Sequence, residues 1–187
     1  LTKALRPNHP ALAIIGGAKF STKQPVLKAL LASYDTVFVG GALANDFMVE
    51  CGYGVGTSLV SKDADKDALR ALLKDPKLML PLDEVVAPFG SHEDDVDQKV
   101  VPLDKVPSNQ AILDDGPKTV AALGTLAQEA KTILWNGPLG NYEKGFEEAT
   151  EALAREIARS GAYSVIGGGD TVAAVEKLGI SDRFSFI

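Results

Sequence analysis

The chain has 187 residues, enough for one domain with a full hydrophobic core and too few for two ordinary ones. Hydrophobic residues make up 45% and charged residues 24%, a globular composition that gives no support to disordered, collagen-like or mucin-like readings. A net charge of -6 with a pI near 4.9 argues against a nucleic-acid polymer as partner, because gripping a phosphate backbone needs basic surface, although a small anion can still bind locally.

Residues 1–10 carry two basic residues and two prolines without an apolar core or cleavage site, so they are not a signal peptide. The chain opens on leucine rather than methionine and closes on Phe-Ser-Phe-Ile, which leads us to expect a piece cut from a longer polypeptide. Four short apolar runs then recur, each followed by glycine. They are Ala11 to Ile15 before Gly16-Gly17, Thr36 to Val39 before Gly40-Gly41, Thr132 to Trp135 before Asn136-Gly137, and Tyr163 to Ile166 before Gly167-Gly168-Gly169. Uninterrupted apolar runs of this length suit strands buried on both faces. Leu78 to Leu80 is a candidate fifth strand.

Helical patterns lie between the runs. Val26, Leu27, Leu30 and Leu31 form a stripe that places Pro25 in a first turn, and Asp63 is an expected cap for a helix over 64–73. Further helices are predicted over 117–130, 146–160 and 171–178, the last stopped by Gly179. Strand and helix therefore alternate, which predicts a doubly wound, Rossmann-like α/β fold: a parallel sheet with helices on both faces, in three αβα layers. Residues 88–110 are acidic and proline-punctuated, with weak strand character around Lys99 to Leu103, and are expected to form a surface excursion. No apolar stretch approaches the roughly 18 to 20 residues of a membrane span. Cys51 has no partner for an intramolecular disulfide, so a reducing compartment, the cytoplasm, is expected.

In open parallel sheets, ligands bind outside the carboxyl ends of the strands, where all four glycine turns should fall. Glycine lets backbone approach a ligand closely, and free N–H groups at the following helix starts favour phosphate. A single Gly-Gly turn is explained by plain strand-to-helix geometry, but four at one edge are not. Lys19, Lys23, Asn45, Asn136, Glu143, Asp170 and Thr171 decorate these turns in a way that core packing does not require. Two lysines four apart can neutralise a polyphosphate. A carboxylate beside glycine amides calls for a cation between it and that phosphate, and Mg²⁺ suits one aspartate, Asp170, plus substrate oxygens. Solvated lysines and Asp170 as a helix cap are the alternatives.

Other motifs are missing: there is no P-loop, no dinucleotide fingerprint after a strand and no nucleophile elbow. His9 and His92 are the only histidines, too few for a zinc cluster, and read as solvated loop residues. Cys51 follows an apolar helix face and is expected in the core, and Trp135 reads as strand-end packing.

The turns taken together resemble one family. Gly16-Gly17-Ala18-Lys19 with Lys23, Gly40-Gly41, Gly56-Thr57-Ser58-Leu59, Leu80-Pro81, Asp114-Asp115-Gly116-Pro117, Trp135-Asn136-Gly137-Pro138-Leu139-Gly140 and Gly167-Gly168-Gly169-Asp170-Thr171 occur in the order and spacing of phosphoglycerate kinases. The resemblance covers essentially the whole chain and implies the nucleotide-binding, C-terminal domain, 1–187, with 1–10 the end of an interdomain linker. It implies reversible phosphoryl transfer between 1,3-bisphosphoglycerate and ADP in glycolysis. Its implied partners are ADP or ATP with Mg²⁺, and 3-phosphoglycerate or 1,3-bisphosphoglycerate through an N-terminal domain that this chain lacks. A monomer is expected.

By the same resemblance, Lys19 and Gly169 serve catalysis, Lys23 and Asn136 contact nucleotide phosphates, and Asp170 holds Mg²⁺. Thr171 and the amides of Gly167, Gly168 and Gly169 cradle phosphate oxygens, and Glu143 binds the ribose. Gly17, Ala18, Gly40 and Gly41 line an adenine slot, with Gly137 and Pro138 also on the nucleotide. Two positions depart from the family pattern: Ala42 stands where a third glycine is frequent, and Asn141 where an apolar residue is. The family's terminal glycine-rich loop is also absent, so the 187 residues alone are expected to be inactive. A stand-alone, non-catalytic nucleotide-binding module and an NAD-binding Rossmann domain are the rival readings, the second disfavoured by the missing fingerprint.

Overall fold

The computed structural model describes residues 2–187; Leu1, the first residue of the expected linker, lies outside them. Helix α1 (Thr2–Leu5) leads into β1 (Ala11–Ile15), α2 (Phe20–Ser33), β2 (Thr36–Val39), α3 (Ala42–Glu50) and α4 (Lys66–Leu73). There follow β3 (Leu78–Met79), β4 (Asp83–Ala87), β5 (Lys99–Pro102), β6 (Ala111–Asp115), α5 (Pro117–Glu129), β7 (Thr132–Asn136), α6 (Glu148–Arg159), β8 (Tyr163–Gly167) and α7 (Gly169–Lys177).

Five strands form one parallel sheet in the order β3-β2-β1-β7-β8. Alternate residues of each strand face opposite sides, and both sides are covered, which is why the runs are apolar without interruption. Leu12, Ile14, Phe38, Ile133 and Trp135 pack against Leu123 and Ala127 of α5, Leu153 and Ile157 of α6 and Val175 of α7. Ala11, Ala13, Ile15, Val37 and Val39 pack against Leu27 and Leu31 of α2, Phe47 of α3 and Leu69 and Leu72 of α4. The three αβα layers are those expected, and Leu78–Met79 is the fifth strand.

A second sheet was not anticipated. Strands β5, β4 and β6 pair antiparallel in that order, so the excursion at 88–110 is an arm of this small sheet. Four acids sit in β4 and β6, and all are buried: Asp83, Glu84, Asp114 and Asp115 are 2%, 1%, 3% and 3% exposed. Two of them serve as remote helix caps. Asp83 accepts hydrogen bonds from the amides of Lys118 (3.0 Å) and Thr119 (2.8 Å) and from the Thr119 hydroxyl (2.8 Å) at the start of α5. Asp114 accepts from the amides of Asp115 and of Ala149, both at 3.0 Å, the latter in the first turn of α6. Neither helix has a side-chain cap of its own, so the buried carboxylates meet orphan N–H groups and the positive end of each helix.

Several boundaries differ from expectation for identifiable reasons. Helix α2 begins at Phe20, which is fully buried edge-to-face on Phe47, so Pro25 falls inside the helix rather than in its first turn. The cap of α4 is Asp65, whose Oδ1 accepts from the Ala68 amide at 3.1 Å, not Asp63. Phe146 packs with Ala87, Ala111 and Leu113 of the small sheet, which delays α6 to Glu148. Helix α7 starts at Gly169, two residues before Thr171. Cys51 is exposed just past α3 instead of sitting in the core.

Burial pushes the Asp114 carboxyl up to about 8 against the pull of its two amide donors, and burial also raises Glu84 and Asp115. A carboxyl raised in the folded state contributes stability that is complete below its unfolded value near 4 and is lost as pH climbs through the folded value. The melting temperature is therefore expected to fall between about pH 5 and about pH 8. Thermal unfolding of Asp114→Asn across that range should show a shallower slope; an unchanged slope would assign the effect elsewhere.

Candidate functional site

The sheet order reverses between β1 and β7, since the chain proceeds outward through β2 and β3 on one side and through β8 on the other. A crevice at such a reversal is where open α/β sheets take ligands. The Gly16–Gly17 turn after β1 and the Asn136–Gly137–Pro138 turn after β7 meet there, the Gly16 amide donating to the Asn136 carbonyl at 2.8 Å. The Gly40–Gly41 turn is tied to the first by the Gly40 amide on the Ile15 carbonyl at 3.0 Å. The Gly167–Gly169 turn adjoins Asn136 on the other side, where a Cβ on Gly167 would stand 3.1 Å from Asn136 Nδ2. All four glycine turns thus share one edge.

The expected site residues fall into two groups. One is a polar cluster over the crevice: Lys23, half-buried near the start of α2, donates from Nζ to Asn136 Oδ1 at 2.8 Å. The Gly137 amide donates to the hydroxyl of Thr171 at 3.0 Å, and Thr171 is fully buried. Thr171 is therefore a strut between the β7 and β8 turns as well as a neighbour of the crevice. Lys19 caps α2 through its backbone and is exposed, and among the described residues its ammonium makes no hydrogen bond or ion pair.

The other group lines a cavity of about 440 Å³, within the span typical of small-ligand sites. Gly17, Ala18, Gly41, Pro138, Glu143 and Asp170 all reach it, as do Ala42 and Asn141. Lys19, Lys23, Gly40, Asn136, Gly137, Thr171 and the Gly167–Gly169 turn are not on its walls. Asp170, in the first turn of α7, is on the wall of the cavity and belongs to the glycine turn beside the polar cluster; its carboxylate accepts no hydrogen bond among the described residues. A larger cavity of about 670 Å³ lies between α5, α6 and the small sheet, but no residue of the four glycine turns lines it, so the chemistry points to the smaller one.

Asn45 does not belong to the site. It is 1% exposed on α3 and its Nδ2 donates to the Leu59 carbonyl at 2.9 Å, securing the loop after the helix. Sequence reasoning missed Leu59, Phe89 and the β6 residues Ala111 to Asp114 as cavity lining. Leu59 and Phe89 are 53% and 62% exposed, and large apolar side chains held in water at a cavity mouth are the signal that points to them.

The family model for phosphoglycerate kinase matches residues 1–187. The chain belongs to the phosphoglycerate kinase family. It is 41% identical over 191 residues to the phosphoglycerate kinase of Desulfosudis oleivorans, covering 99% of this chain and 48% of that protein. It is 44% identical over 183 residues to that of Rubrobacter xylanophilus, covering 97% and 46%. The structure of phosphoglycerate kinase from Coxiella burnetii superposes with a TM-score of 0.92 at 41% identity, over 99% of this chain and 49% of that one. The Pyrococcus horikoshii enzyme superposes at 0.82 with 25% identity, over 100% and 48%. The chain spans about half the length of the curated relatives it matches. No helix among its described residues is long and apolar enough to cross a membrane.

Proposed function

We propose that the chain is the nucleotide-holding part of a phosphoglycerate kinase, binding ADP or ATP with Mg²⁺ for reversible phosphoryl exchange with 1,3-bisphosphoglycerate. The observation that carries this is the meeting, at the sheet's reversal point, of four glycine turns, the Lys23–Asn136 pair and the free Asp170 carboxylate beside one cavity. The base and ribose occupy the cavity between Gly17, Ala18, Gly41 and Pro138, with Glu143 at the sugar. The phosphates run toward Lys23, Asn136 and the amides opening α7, which lack intrahelical partners.

Asp170 suits Mg²⁺ arriving with the nucleotide. One carboxylate acting together with substrate oxygens is a coordination that Mg²⁺ accepts. Bound there, the ion supplies neutralisation of phosphate charge. Lys19, with its ammonium free, and the Gly169 amide are the donors we assign to the transferring group, since this chemistry needs positioning and charge balance more than covalent help.

Thermal unfolding with a panel of nucleotides tests the proposal. Mg-ADP at about 100 times its Kd should stabilise the chain by about 2.7 kcal/mol, and NAD by much less. Equal shifts with both, or a larger one with NAD, would sink the assignment. Asp170→Asn should lose the Mg²⁺ dependence of ADP binding while keeping its melting temperature without ligand. In a coupled assay with ATP and 3-phosphoglycerate, the 187 residues alone should bind without turnover, because one bound reactant does not assemble a near-attack geometry.

A further inference from the structure

Beside the cavity lies a buried pair that the proposed chemistry does not use. Glu84 of β4 and Asp115 of β6 face each other across the antiparallel register of the small sheet, both almost completely buried. The two carboxyls lie in hydrogen-bonding contact, and the Asp115 carboxyl also meets the backbone amide of Gly41. Asp115 Oδ2 closes off the space behind the neighbouring residue, since a Cβ on Gly40 would stand 2.7 Å from it.

The charged groups that act on the pair from the surrounding elements are Asp83 and Asp114, both acids. Both Glu84 oxygens and Asp115 Oδ2 find no N–H or O–H donor among the described residues. Two ionised carboxylates in that position would be like charges, desolvated and unbalanced, an arrangement that acid pairs relieve by keeping a proton. One proton turns the contact into an O–H···O bond and satisfies an oxygen on each side.

We propose that Asp115 is a positioning residue for nucleotide binding: sharing one proton with Glu84, it holds the Gly40–Gly41 turn in place against the cavity. The inference rests on the nucleotide reading above. Gly41 lines the cavity and α3 starts directly after it, so the turn's placement fixes one wall. Burial and the neighbouring acids hold both carboxyls well above their ordinary range, which favours the shared proton. Losing it places two negative charges behind the turn and pushes β4 and β6 apart. Asp83 and Asp114 add negative charge or none, so neither eases that repulsion.

The test is calorimetric titration of the chain with Mg-ADP between about pH 7 and about pH 10, with melting curves alongside. Wild-type affinity should fall roughly tenfold toward the alkaline end as the pair ionises. In Glu84→Gln the amide donates to Asp115 at every pH, so affinity should fall less toward the alkaline end than in wild type, the remaining fall being that of Asp114, whose carboxyl is pushed up to about 8. Asp115→Ala, which loses the Gly41 anchor, should bind roughly tenfold more weakly throughout. Matching pH profiles for wild type and Glu84→Gln, or wild-type affinity in a folded Asp115→Ala, would overturn the inference. If Asp115→Ala fails to fold, the comparison of wild type with Glu84→Gln still decides. A folded wild type that binds no ADP at any pH removes the nucleotide reading itself, whereas binding without a pH response removes only this inference.

Discussion

Lys23→Ala is expected to weaken ADP binding by about 10- to 100-fold, the effect of deleting a charged hydrogen-bond donor that is already in position. Lys23 stands near the start of α2, half-buried, with its stem 3.7 Å from where a Cβ on Gly17 would stand and its ammonium 2.8 Å from Asn136 Oδ1. The charge is thus fixed over the meeting point of the β1 and β7 turns before any ligand arrives, and little ordering cost remains for binding. Removing it also frees the Asn136 amide to rotate away from the Gly167–Gly168 turn beside it. Stability without ligand should change by less than about 1 kcal/mol, because one partly exposed hydrogen bond is lost and no core is opened. Lys19→Ala should behave differently: that side chain holds nothing in place, so its loss should reduce transfer in a full-length enzyme more than it reduces ADP affinity. Calorimetry on both variants checks the contrast, and a Kd for Lys23→Ala within about twofold of wild type would remove Lys23 from the site.

The parallel sheet was legible because its strands obey the simplest rule: β1, β2, β7 and β8 are apolar runs ended by glycine, and both their faces are covered. The small sheet was hidden by the same rule. Asp83-Glu84 and Asp114-Asp115 break the apolar pattern, yet all four side chains are buried: Asp83 and Asp114 face helix N-termini that come from elsewhere in the chain, and Glu84 and Asp115 face each other. Sequence spacing carries no sign of a cap supplied from 35 residues away. The polar half of the candidate site was readable from Lys23, Asn136 and Asp170 at glycine turns, which the fold brings to one edge. The apolar half was not, because Leu59 and Phe89 lie in loops whose approach to the crevice is set by tertiary contacts. One such contact is the Ser58 hydroxyl accepting from the Ile112 amide at 2.7 Å. Asn45 shows the opposite error, a polar residue beside a glycine turn that turns inward to hold a loop.

Gly16→Ala is expected to cost about 3 kcal/mol or more of stability and to abolish ADP binding, at the upper end of what an added methyl does in a packed interior. The obstacle is space. A Cβ at residue 16 would lie 2.1 Å from the Pro138 carbonyl oxygen, 2.8 Å from that of Gly137 and 2.9 Å from the Gly137 carbonyl carbon, all of them backbone atoms. Neither side can retreat easily. The Gly16 amide is held on the Asn136 carbonyl, while Trp135 Nε1 donates to the Gly137 carbonyl at 2.9 Å and the Gly137 amide is held by Thr171. Relief therefore requires the β1 and β7 turns to separate at the crevice, which moves Gly17 and Pro138, both on the cavity wall. Gly161→Ala is the matched control: nothing stands within 4 Å of its Cβ, and its stability should stay within about 0.5 kcal/mol of wild type. Urea unfolding and ADP titration of both variants make the comparison. A Gly16→Ala protein within about 1 kcal/mol of wild type that still binds ADP would mean the two turns can part without harm to the site.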